Sequence, residues 1–102
     1  MKKLLFILLA LALCGPAWSG PMDDAYAANL RGDYAAELKI TRPLALKGVA
    51  WAQTFLGYSY SAGMGVAKND AEAVKWYRLA AAQGDARAQY NLGFMYMTPK
   101  LS

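Results

Sequence analysis

The chain of 102 residues has no histidine and a single cysteine, Cys14. Without histidine it has no imidazole base for Ser-His-Asp or Cys-His nucleophilic machinery, and no imidazole ligand for zinc. One cysteine cannot close an internal disulfide, and Cys14 lies in a leucine-rich leader that would carry it away on cleavage. Charge of either sign is sparse as well. The formal net charge is +4, and without Lys2 and Lys3 it falls to +2. That is too weak an electrostatic footprint for a nucleic-acid binder. These absences leave no sign of a catalytic centre, a bound metal or a cofactor, and the length allows at most one small domain.

The first twenty residues have the layout of an export signal. Lys2 and Lys3 form a positive start, and Leu4 to Cys14 is an unbroken apolar run of eleven. That run is well short of the roughly 20 residues needed to span a bilayer. Gly15 and Pro16 then break the helix, and Ala17-Trp18-Ser19 places small residues where a signal peptidase inspects them. Cleavage is expected after Ser19, since a cut after Gly20 would leave Pro21 just beyond the scissile bond. Leu11-Ala12-Leu13-Cys14 resembles a lipobox, but Leu13 is large where that motif needs a small residue. The expected product is periplasmic or secreted and has no transmembrane segment once the leader is gone.

Shifted by 36 residues, the sequence matches itself. Gly48, Ala50, Ala52-Gln53, Leu56-Gly57 and Tyr60 fall on Gly84, Ala86, Ala88-Gln89, Leu92-Gly93 and Tyr96, seven identities in thirteen positions. Ala35, Lys39, Arg42 and Ala45 fall on Ala71, Lys75, Arg78 and Ala81, a fainter four in fourteen. Such a period suits a helix-turn-helix unit. Punctuation by Gly32-Asp33, Gly48, Asn69 and Gly84 predicts helices over 23–31, 34–47, 49–62, 70–83 and 85–97. Asn69 with Glu72 makes a capping-box pattern. Pro43 predicts a kink, or a helix that restarts there. The seven residues 63–69 form the one sizeable loop.

The repeat residues also match a family pattern. Ala52-Gln53, Leu56-Gly57, Tyr60, Gly63-x-Gly65-Val66, Ala71-Glu72-Ala73-Val74-Lys75-Trp76-Tyr77, Ala80-Ala81 and Gly84 resemble the Sel-one-like repeat, a relative of the tetratricopeptide repeat. The resemblance implies an all-α fold: an α/α solenoid of antiparallel helix pairs with a 36-residue period, holding about one full repeat and two half repeats. The expected divisions are a cleaved signal peptide at 1–19, capping helices with a degenerate half repeat at 20–47, a complete repeat at 48–83, and the first helix of a truncated repeat at 84–102. It also implies a non-catalytic adaptor, of which exported bacterial examples are common. Some exported relatives with cysteine-rich units are linked to cell-wall chemistry. With no working Cys or His, this chain would be left with Asp33, Glu37, Asp70, Glu72 and Asp85 as acids, mostly at helix starts where capping explains them.

Within the complete unit, Ala52, Gln53, Leu56, Gly57 and Tyr60 fall on one side of their helix at 100° per residue. Small Ala and Gly there admit a close neighbour. Trp76, Tyr60 and Tyr96 are expected in the core, and Lys47, Lys68, Lys75 and Arg78 on solvated faces. The opposite side of the first helices carries Trp51, Thr54, Tyr58 and Ser61, and one unit later Arg87, Tyr90, Phe94 and Met97. First helices line the concave surface of such solenoids, so Trp51, Thr54, Tyr58, Arg87, Tyr90 and Phe94 are the candidate partner-binding residues. For Trp51 the alternative is packing near Pro43 and Leu44. After Met97 the Gly-x-Gly-Val loop does not recur, so the last helix is expected to present an open face, covered by a protein or peptide partner, a second copy or a larger envelope assembly, or else to belong to a truncated relative of a longer array.

Overall fold

The computed structural model describes residues 20–98; the expected leader, Cys14 and the segment from Pro99 lie outside the described residues. Five helices follow one another: α1 (Pro21–Leu30), α2 (Tyr34–Leu46), α3 (Ala50–Ala62), α4 (Asp70–Ala82) and α5 (Ala86–Met97). No strand occurs among the described residues. Three of the four connections are three residues long, which turns successive helices back on each other. Each helix packs mainly on its neighbours in the chain, most extensively α3 on α4. This is an all-α stack of antiparallel helices, the architecture of an α/α solenoid.

Local chemistry sets the helix ends. Asp33, Asn69 and Asp85 accept through side-chain oxygens from the backbone N–H groups of Ala36 (3.2 Å), Glu72 (3.1 Å) and Ala88 (3.0 Å). Each such cap satisfies one of the orphan donors at a helix start, a contribution of about 1 kcal/mol. At the other ends, Gly48 (φ 95°) and Gly84 (φ 92°) take the left-handed conformation. The amide of Val49 then reaches Leu44 O and that of Asp85 reaches Ala80 O, closing Schellman turns. Pro43 does not restart its helix: α2 runs unbroken through it to Leu46. Pro43 sits in the last turn, and Lys39, whose carbonyl the ring deprives of a donor, is exposed to water.

The core forms where α3 meets α4. Ala45, Ala52, Leu56 and Trp76 make one buried cluster, and Ala73, Tyr77, Ala80 and Ala88 another. Tyr60 packs against both. Small residues dominate because the helices lie close. A Cβ added at Gly57 would stand 2.7 Å from Tyr77 Cδ1 and 2.8 Å from Cε1, well inside van der Waals contact. The loop after α3 is held down too: a Cβ on Gly65 would meet Leu38 Cδ1 at 2.8 Å, so this loop tucks under α2 as well as linking two helices.

Buried Gln53 donates to Ala45 O (3.3 Å) and accepts from Gln83 Nε2 (2.9 Å), which also donates to Gly48 O (2.9 Å). The same contact recurs further along, where Gln89 donates to Ala81 O (3.2 Å). Trp76 is core, as expected. Tyr96 is not. It is 59% exposed on α5, with its ring under Arg78 and its hydroxyl accepting from that guanidinium, because among the described residues no helix covers this face.

Gly57 and Gly93 hold matching places in α3 and α5, yet nothing lies within 4 Å of a Cβ on Gly93. Gly57→Ala is expected to lose about 1–3 kcal/mol of stability to overpacking against Tyr77. Gly93→Ala is expected to gain about 0.5–1 kcal/mol from helix propensity. Urea unfolding followed by circular dichroism measures both, and equal effects would contradict the difference in packing.

Candidate functional site

The odd-numbered helices share one face of the stack, and a groove of about 280 Å³ opens between them. Tyr26 and Asn29 line it from α1, Thr54, Phe55 and Tyr58 from α3, and Arg87 and Asn91 from α5. Glu37 of α2 reaches it from behind. Tyr26 and Tyr58 are exposed at its rim, while Thr54 is buried and donates its hydroxyl to Ala50 O (3.2 Å). The Arg87 guanidinium lies 5.4 Å from the centre of the Phe55 ring, joining α5 to α3 across the groove. Ser61 Oγ hydrogen-bonds the phenol of buried Tyr77 at 3.4 Å. Burial raises the Tyr77 pKa above its ordinary 10, against the pull of hydrogen bonding, so the phenol stays neutral.

Glu37 is the unusual group. Only 2% of it is exposed, and its Oε2 accepts a hydrogen bond from Asn29 Nδ2 at 3.0 Å. Burial raises its pKa above the ordinary 4.5, and the Asn29 bond offsets that only in part. The corresponding place in α4 is filled by Ala73, wholly buried in the core. One turn further along α2, buried Thr41 has a hydroxyl without a hydrogen-bond partner. The inner face of α2 is therefore polar where that of α4 is apolar.

Residues 52–85 and 86–100 match the Sel1 repeat. The chain carries Sel1-like repeats over these residues. It is also similar to a sel1-like repeat-containing protein of Acanthamoeba polyphaga mimivirus, with 44% identity over 45 residues, 44% of this chain and 8% of that protein. The chain thus spans a small part of the length of this curated relative. No solved structure matches it. Sel1-like repeat proteins are typically non-catalytic adaptors. No group of three or more His, Cys, Asp or Glu side chains that could hold a metal ion occurs among the described residues, and no helix described is long and apolar enough to cross a membrane.

The candidate residues read from the sequence of this repeat-bearing chain occupy several environments. Thr54, Tyr58 and Arg87 meet in the groove. Tyr90 and Phe94 are exposed on α5 but do not line it. Trp51 is half-buried, packs against the first core cluster as Leu44 does, and meets Phe55 edge-to-face at 5.4 Å. Sequence spacing does not mark Tyr26, Asn29, Phe55 or Asn91, and it groups Glu37 with acids that sit mostly at helix starts. An acid at the repeat position of a core alanine was the available signal for Glu37. Tyr26 and Asn29 carry none, since nothing in α1 alone says that it faces α3.

The raised pKa of Glu37 gives the protein a testable pH signature. A carboxyl protonated more readily in the folded than in the unfolded chain adds stability below its ordinary pKa, and that stability is lost as pH rises through the folded value. Glu37→Gln keeps the acceptor for Asn29 and removes the titration. Thermal melts between about pH 4 and pH 8 should show the variant gaining on the parent as pH rises. Parallel curves would mean that the carboxyl is solvated.

Proposed function

We propose that this protein is an exported, non-catalytic adaptor that holds a protein or peptide segment in the groove between α1, α3 and α5. Sel1 repeats generally mediate protein–protein interaction. The observation that carries the reading is the groove itself: Tyr58 (45% exposed) and Tyr26 (56% exposed) stand at the rim of a cavity bridged by Arg87 and Phe55. Aromatic residues and arginine around a concave centre are the usual composition of an interaction hot spot. A groove of this size fits an extended segment and a small interface, hence modest affinity.

A photo-crosslinking residue at Tyr58 should capture a second protein in the native host, whereas one at Leu79, exposed on α4, should not. Equal capture from both positions would remove the groove from consideration. The exposed Phe94 and Met97 on α5 support a second reading, contact with another copy or with a larger envelope assembly. The same crosslinker at Met97 reads this out as a doubled mass or a different partner.

The leader, with its positive start and apolar run of eleven, supports delivery to the periplasm or the medium. Residues 1–19 fused ahead of an alkaline phosphatase lacking its own signal should yield active enzyme outside the cytoplasm. Activity no higher than that of the leaderless enzyme would contradict export.

A further inference from the structure

We propose that the groove receives a lysine or arginine side chain from the bound segment, its charged end on the Glu37 carboxylate and its stem against Tyr26, Phe55 and Tyr58. The inference rests on the adaptor reading and adds the chemistry of the partner.

Packing does not account for Glu37. The corresponding residue of the complete repeat is Ala73, and a buried carboxyl costs desolvation that an alanine avoids. Nor does internal pairing account for it. Its one hydrogen bond comes from the neutral amide of Asn29, although an ionised carboxylate can accept about four. The ion pair found among the described residues lies elsewhere, between Lys75 and Glu72 at 3.5 Å. In the proposed complex, a group seated in the cavity that Glu37 lines takes up this remaining capacity.

The wall suits a cation. Phe55 already carries the Arg87 guanidinium at 5.4 Å, so this aromatic surface accepts that group. Arg87 is exposed and rests on Phe55 with no ion pair to Glu37, leaving the carboxylate free for a visiting cation. An acidic side chain would find Arg87 at the rim but Glu37 at the floor. Charge interactions at a buried floor outweigh those of a rim screened by water and salt.

The test pans random displayed dodecapeptides on the full chain and on Glu37→Gln. Peptides enriched on the parent should share a Lys or Arg whose replacement by Ala weakens binding about tenfold or more, while the parent peptides lose as much on Glu37→Gln. Circular dichroism checks that the variant is folded. Independently of the variant, N-acetylarginine amide should shift the Asn29 side-chain amide resonances of the parent, and its neutral isostere N-acetylcitrulline amide should not. Peptides that bind, that weaken with Tyr58→Ala, and that carry no required basic residue overturn this inference and leave the adaptor reading standing. Peptides indifferent to Tyr58→Ala, or no enrichment at all, overturn both.

Discussion

The contact on which the rest depends is the approach of the Tyr77 ring to the bare backbone at Gly57. It requires a residue without a side chain on α3 and a flat one on α4, and it brings the two helices close enough for Ala52, Ala73 and Ala80 to be fully buried. With so few large side chains, stability depends on proximity: dispersion contacts fall off steeply when helices separate. Gln53 and Gln83 then tie the α2–α3 turn to the end of α4, so the position of α2 follows from the same pair.

The two flanking units depart from this pattern in opposite ways. On the N-terminal side, α2 carries Glu37 and Thr41 inward, polar groups at positions where α4 has Ala73 and Tyr77. On the C-terminal side, α5 keeps the repeat residues but not their burial: Gly93 has open space and Tyr96 lies on the surface. A repeated pattern specifies how a helix is shaped for its neighbours; burial also requires the neighbour.

Glu37 shows how the scaffold and the groove compete. A carboxyl held near the core weakens the solenoid at neutral pH, since its charged form is poorly solvated there. The same burial makes it a strong and selective partner for a cation, because a low-dielectric floor magnifies the interaction that water would screen. Stability lost at one position and specificity obtained at the same position have a single cause.

Much of this fold was legible in the sequence. Caps at Asp33, Asn69 and Asp85, left-handed glycines at 48 and 84, and the recurring Ala-Gln and Leu-Gly pairs are local signals, and local signals set helix ends and helix faces. Tyr58 and Arg87 were legible as well, because they stand on the outer side of first helices. What the tertiary structure alone decided is which helices share a cavity. Asn29 meets Glu37, and Tyr26 and Tyr58 line one cavity, only because of how α1 packs beside its neighbours, which no periodicity encodes. Trp51 and Tyr96 likewise took their burial from the neighbours present around them. Spacing along one helix names a face; how the helices pack chooses what that face meets.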